Sequence, residues 1–262
     1  MLGDGIMGSE QVWQSDHYDS KLGFVSEFGK DVVRLLNPIK GERIFDLGCG
    51  TGDLAHEISQ AGAYVTGMDL SEPMINQAQR KYPEIKFLVG NGEQIALDDK
   101  FDAVFSNAAL HWMKRPQSVL AGVWNHLNPG GRFVAEFGGK GNVQIIVQTI
   151  SDVLRVDYGM NAAKLNPWYF PSIAEYSTLL EQQGFRVTYA AHFDRPTKIV
   201  DNEQGLQHWL KAFADHFFTA LSEAERHDAC SRIAVKARNE LFHDGSWYAD
   251  YKRLRVMAIK PK

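Results

Sequence analysis

Along residues 39–137, short runs of consecutive apolar positions alternate with stretches of helical periodicity, a rhythm that builds a parallel sheet with helices on both faces. The runs at 43–47, 63–69, 85–89, 101–106 and 131–137 predict strands, each bounded by Gly, Asp or Asn. Between them Ser71 can cap a helix whose first turn accepts Pro73. Pro116 can open another that ends before Asn128-Pro129-Gly130-Gly131. Upstream, residues 20–36 read as an amphipathic helix with Phe24, Phe28, Val32 and Leu35 on one face, preceded by an aromatic segment holding Trp13 and Tyr18. Downstream, the pattern predicts helices over 143–158, 172–183, 203–218 and 223–242, the last opened by the capping-box spacing of Ser222 and Glu225, and strands over 185–193 and 251–260. The chain divides accordingly into an N-terminal lid and helix (1–38), a ligand-binding core (39–137), and cap helices with closing strands of the same domain (138–262).

With 262 residues, 28 Lys and Arg against 32 Asp and Glu, and 44% hydrophobic residues, the chain can bury a sizeable core. A net charge of −4 without a basic run gives a nucleic acid no electrostatic footprint to meet. Two cysteines, Cys49 and Cys230, offer neither a disulfide framework nor a metal cluster. No window approaches the roughly 20 apolar residues that a membrane helix needs, and the N-terminus lacks a basic start followed by an apolar run. The expectation is a cytoplasmic protein, monomeric or homodimeric, without metal, membrane or nucleic-acid partners.

The most informative segment is Ile44-Phe45-Asp46-Leu47-Gly48-Cys49-Gly50-Thr51-Gly52, a strand running into a glycine loop and then a helix. The glycines let a ligand lie against bare main chain at the carboxyl edge of the sheet. A dinucleotide fingerprint would place its third glycine where Asp53 stands, so pyrophosphate is disfavoured. Asp46 argues the same way, since a carboxylate repels phosphate and suits an ammonium or a sulfonium. Asp69, ending the second strand, can accept both hydroxyls of a ribose. Asn91 and Gly92 can meet an adenine edge, and Leu70 and Met74 can sandwich the base. A nucleoside without phosphates but with a cationic tail describes S-adenosylmethionine.

On these residues the chain resembles the seven-stranded class I S-adenosylmethionine-dependent methyltransferases, with residues 46–52 as the first motif and Asp69 as the acid of the second. The segment Ser106-Asn107-Ala108-Ala109-Leu110-His111-Trp112 is similar to that of the trans-aconitate and malonyl-carrier-protein methyltransferases. That resemblance implies a doubly wound α/β sheet of order 3-2-1-4-5-7-6 with its last strand antiparallel, Tyr18 near the methionine tail of the cofactor, and Asn107 in contact with the same tail. Family members usually carry Asp where Asn91 stands.

Methyl transfer asks mainly for alignment and exclusion of water. For a carboxylate acceptor a positioning cation suffices, and Arg195 can pair it; for a hydroxyl, amine or carbon acceptor a base is required, and His111 is the best placed by sequence. The leading reading of His111 is nonetheless a structural histidine packed beside Trp112 and donating to a backbone carbonyl. Trp112, Trp168, Tyr169 and Phe170 are candidate acceptor walls or loop anchors, and Cys49 fits the loop as a small residue. The expected activity is methylation of a small organic molecule, a carboxylate among the options. The rivals are a noncatalytic nucleoside-binding module and a nicotinamide oxidoreductase.

Overall fold

The computed structural model describes residues 24–262, with side chains from residue 28 onward; Trp13 and Tyr18 lie outside the described residues. Helix α1 (Phe24–Leu36) leads into β1 (Arg43–Leu47), α2 (Asp53–Gln60), β2 (Tyr64–Asp69), α3 (Glu72–Lys81), β3 (Lys86–Val89), β4 (Phe101–Asn107), α4 (Pro116–His126) and β5 (Leu127–Gly138). Then follow α5 (Gln144–Tyr158), α6 (Ile173–Gln182), β6 (Arg186–Asp194), β7 (Thr197–Lys198), α7 (Gly205–Phe213), α8 (Glu223–Leu241), β8 (Phe242–His243), β9 (Ser246–Ala249) and β10 (Lys252–Ile259).

Seven strands form one sheet in the order β3-β2-β1-β4-β5-β10-β6. Counting only the strands of that sheet, β10 is the seventh, so this is the expected 3-2-1-4-5-7-6 order. Strands β1 to β5 pair in parallel, while β10 runs antiparallel to both β5 and β6. The antiparallel insertion matters for the site, because it brings the start of β10 to the same sheet edge as the ends of β4 and β5: Arg253 lies opposite Gly138, and Arg255 opposite Glu136.

One face of the sheet packs Ile44, Phe105 and Val134 under α1, α2 and α3; the other packs Phe45, Phe133 and Phe137 under α4 and α6. On α1 Val32, Val33 and Leu36 are buried in this core and Leu35 packs half-buried against it, while Phe28 faces the cavity described below. Pro73 stands in the first turn of α3 behind the cap Ser71, as its spacing predicts, and both Ser172 of α6 and Ser222 of α8 close capping boxes with Glu175 and Glu225.

A third core, built from α5, α7, α8 and β9 around Trp168, Phe217 and Trp247, forms the cap. Here the pattern misled twice. Residues 203–218 are not one helix: α7 stops at Phe213, and a 3₁₀ turn at Asp215–Phe218 follows. The break buries both Phe217 and Phe218, neighbours that a single helix face does not present together. Between α8 and β10 the chain forms a hairpin, β8 with β9, extended by β7. Its turn, Asp244-Gly245, has positive φ at both residues (49° and 69°), the primed geometry for which Asp-Gly is the usual signal. Among the described residues, no helix is long and apolar enough to cross a membrane.

Candidate active site

The end of β1 turns sharply because Gly48 and Cys49 both donate their N–H to the Met68 carbonyl of β2, at 2.7 and 3.1 Å. Gly48 has φ of 78°, and a Cβ there would come within 2.2 Å of the Ala109 methyl, so only glycine closes this corner. Gly50 also has positive φ, yet a Cβ on it would meet nothing within 4 Å, leaving bare main chain open to a ligand. Asp69 fastens the loop: Oδ2 accepts from Gly50 N–H at 3.0 Å and Oδ1 from Ser71 N–H at 2.9 Å. Each oxygen keeps a second lone pair. Burial raises the Asp69 pKa, partly offset by those N–H donors.

Behind the loop Asp46 is buried, and its Oδ2 has no hydrogen-bond partner. Burial, reinforced by the charge of Asp69, pushes its pKa up to about 8. A lone buried carboxylate of this kind is relieved by a cation. Cys49 turns away from the ligand side: its Sγ packs against Gly67, and burial with the neighbouring acids holds its thiol protonated.

Gly48, Gly50 and Asp69 form one end of a cavity of about 580 Å³, together with Leu70, Met74, Asn91 and Gly92. Asn91 Oδ1 accepts from Glu93 N–H at 2.9 Å, leaving the amide nitrogen as donor, and a Cβ on Gly92 would strike Met113. Leu70 is 57% exposed at the mouth, whereas Met74 is buried at the wall.

The other end is built from the close of β4 and β5, the turn after β6, and the start of β10. Glu136 is fully buried and gathers three guanidinium groups. Oε1 accepts from Arg195 Nη1 at 2.7 Å and Arg253 Nε at 3.3 Å; Oε2 accepts from Arg195 Nη2 at 3.1 Å and Arg255 Nε at 2.8 Å. Burial alone would raise the Glu136 pKa, but the three cations outweigh it and hold the carboxyl below its ordinary value. Arg195 is also sandwiched by the Phe28 and Phe193 rings.

His111 sits between this cluster and the aromatic wall, 5.4 Å from the Trp112 ring and 5.9 Å from that of Phe170. Its Nδ1 accepts from Gly138 N–H at 3.3 Å, which puts the ring proton on Nε2. Burial, then the charge of Arg253, lowers its pKa well below 6.5, so the ring is neutral. Trp112 meets Trp168 edge-on at 5.8 Å, and Trp168 stacks on Phe170 at 5.6 Å. Tyr251 accepts from Trp209 Nε1 at 2.7 Å, and burial pushes its hydroxyl up to about 12.

The structure thus brings Asn107, His111, Trp112, Trp168 and Arg195 into the same cavity as the glycine loop. Asp46, Cys49 and Tyr169 do not line it: Tyr169 packs toward the core under α6 and contributes its backbone N–H to the His111 carbonyl. Phe170, weighed with Trp168 as an aromatic wall, lines the cavity too, whereas sequence reasoning missed Glu136, Tyr251 and Arg253. A charged residue inside the apolar run of β5 was the one available sign of Glu136. Two non-glycine residues with positive φ, Ala108 and Val143, line the same cavity, the kind of local strain that clusters at functional sites.

These residues fit an adenosyl group with a cationic tail. Asp69 has lone pairs for ribose hydroxyls, Asn91 an amide for the base, the loop an uncovered main chain, and Asp46 an uncompensated carboxylate. Among the described residues no group of three or more His, Cys, Asp or Glu side chains could hold a metal ion.

Residues 45–135 match the family described as a methyltransferase domain. Over 96% of this chain and 99% of its own length, an uncharacterized methyltransferase of Schizosaccharomyces pombe is 35% identical. A trans-aconitate 2-methyltransferase of Deinococcus radiodurans is 34% identical over 46% of this chain and 47% of its own. In three dimensions, the phosphoethanolamine N-methyltransferase 2 of Haemonchus contortus, solved with S-adenosyl-L-methionine, superposes with a TM-score of 0.55 at 17% identity, covering 90% of this chain and 53% of that one.

Proposed function

This chain belongs to the S-adenosylmethionine-dependent methyltransferases, and on that premise we propose that it methylates a carboxylate oxygen of a small organic molecule. One observation carries the reading: the side chains converging on the acceptor end are cations and donors, and the carboxylate among them, Glu136, is already claimed by three arginines. A hydroxyl, amine or carbon acceptor must give up a proton to a base, whereas a carboxylate is ionised and nucleophilic at neutral pH. His111 suits the second case, because its Nδ1 is occupied and its Nε2 carries the proton.

The cofactor supplies a methyl group made electrophilic by a sulfonium. Gly48, Gly50, Asp69 and Asn91 hold and orient it at one end of the cavity. Asn107 closes β4 beside it, and Tyr18, at the N-terminal end of the chain, would cover its tail. Leu70 and Met74 flank the base. Trp112, Trp168 and Phe170 hold the body of the acceptor and exclude water, which is most of what an in-line displacement requires. His111 Nε2–H donates to an acceptor oxygen, and Arg195 contributes to the positive field. The name of the Deinococcus radiodurans relative, which denotes a carboxylic acid as its acceptor, agrees with this reading.

The test is a labelled-methyl screen over small carboxylic acids, alcohols and amines. A methyl ester surrenders its label as methanol in mild alkali, and that release is expected. A product whose label survives alkali would overturn the reading.

A further inference from the structure

We propose that Arg253 is the residue that recognises the acceptor, by pairing its two Nη donors with a carboxylate, while Arg195 and Arg255 serve only to neutralise Glu136. This rests on the carboxylate reading above and assigns the group that enforces it.

A carboxylate offers about four lone-pair sites. Oε2 of Glu136 takes Arg195 Nη2 at 3.1 Å and Arg255 at 2.8 and 2.6 Å, and Oε1 takes Arg195 Nη1 at 2.7 Å and keeps one site for Arg253. Arg253 is left a single contact through Nε at 3.3 Å. Its Nη groups make no hydrogen bond among the described residues. The other two guanidiniums have a second support as well, since Arg195 lies over the Phe28 and Phe193 rings and Arg255 over Phe193. Arg253 lines the cavity and is 8% exposed, so its charge is only weakly paired, through that long Nε contact, and poorly hydrated.

Three guanidiniums against one carboxylate leave the cluster short of negative charge, and burial without compensation is costly. With Nε turned to Glu136, the free edge of Arg253 is the fork between Nη1 and Nη2, which matches the two oxygens of a carboxylate. His111 and Tyr251 line the same cavity, and the Arg253 charge acts on both, favouring the neutral imidazole and opposing the rise of the Tyr251 pKa. A methyl ester carries no charge, so the product loses the pairing that held the acid.

The experiment uses the full chain and its Arg253→Met and Arg253→Lys variants. Each is saturated with S-adenosylhomocysteine and titrated with benzoate, cinnamate and glutarate and with their primary amides, read by tryptophan fluorescence. Turnover of whichever acids are methylated is measured alongside. Wild type should prefer acids to amides. Arg253→Met should lose that preference, with acceptor KM raised roughly 10- to 100-fold and affinity for S-adenosylhomocysteine unchanged. Arg253→Lys, which keeps the charge without the fork, should fall between. An acid preference that survives in Arg253→Met overturns the assignment and leaves the carboxylate reading standing. Equal response to acids and amides in wild type overturns the carboxylate reading itself. Weakened S-adenosylhomocysteine binding in both variants would place Arg253 under the cofactor and also overturn the assignment.

Discussion

The two ends of the cavity are electrostatic opposites. At the cofactor end two carboxylates, the buried Asp46 and the half-buried Asp69, have no cationic partner among the described residues, and both have raised pKa values. At the acceptor end one carboxylate is outnumbered by three guanidiniums and its pKa is lowered. An empty cavity is therefore frustrated at both ends, with opposite sign, and the proposed ligands are the ones that relieve it: a cationic cofactor and an anionic acceptor. The ends also differ in construction. The cofactor end is mostly main chain and short-range contacts, whereas Glu136, Arg195 and Arg253 come from three separate elements and meet through the antiparallel register of β10.

The largest effect expected from breaking this contrast is at Glu136. Glu136→Ala leaves one buried and two half-buried cations without their shared carboxylate, and should cost about 3–5 kcal/mol of stability, read from urea unfolding. Adding Arg253→Met should restore part of the loss, because the two sites share one network. A cost below about 1 kcal/mol would mean that the cluster is effectively hydrated, and the contrast would fail.

The pH responses should have opposite signs. Glu136, with a lowered folded pKa, contributes stability that is present above its ordinary 4.5 and lost as pH falls through the folded value. Asp46 is favoured protonated in the ligand-free fold, so its contribution is present below 3.8 and is lost as pH rises through about 8. Asp46→Asn should remove that alkaline loss, raising Tm of the ligand-free protein at pH 8 and above while weakening S-adenosylmethionine binding. In the wild type, affinity for S-adenosylmethionine should climb as pH approaches 8, with a proton released on binding. Calorimetry in two buffers of different ionisation enthalpy measures that proton. An Asp46→Asn protein with an unchanged Tm profile would show that Asp46 is not the strained group.

This difference in construction explains what could be read in advance. The strand at 43–47, the loop at 48–52 and Asp69 were legible because the binding groups there are backbone positions whose requirement for glycine is written in the chain. The caps Ser71 and Ser222 were legible for the same local reason. Arg253 was not legible: its role depends on lying opposite Gly138, a register set by long-range pairing. Tyr169, beside Trp168, was expected to face the acceptor and instead packs under α6, since neighbours in an irregular segment carry no periodicity to fix their direction. The Asp244-Gly245 hairpin was written locally and went unread, because strands of two to four residues leave no alternation to notice.

Within the cofactor end, Asp69→Ala tests whether the local motif does what its position implies. Loss of charge-assisted hydrogen bonds to a ribose should weaken S-adenosylhomocysteine by about 1–3 kcal/mol. Because Asp69 also ties Gly50 and Ser71, Asp69→Asn, which can keep one of those ties, should lose less. Equal affinity in both variants would put the ribose elsewhere.

The smallest effect is expected at His111, where it decides most about the acceptor end. His111→Gln keeps a side-chain amide able both to accept from Gly138 N–H and to donate into the cavity, so kcat should change by less than about 10-fold and the pH profile should keep its shape. A base would behave differently. Its removal would cost on the order of 100-fold or more and erase the acidic limb of the profile. That outcome would require an acceptor that loses a proton, and the surplus of guanidinium charge would then serve to lower the pKa of a hydroxyl rather than to hold a carboxylate. The two outcomes differ in the limb as well as in the rate, so a loss of packing around the buried imidazole, which lowers kcat at all pH values alike, is not mistaken for a loss of base.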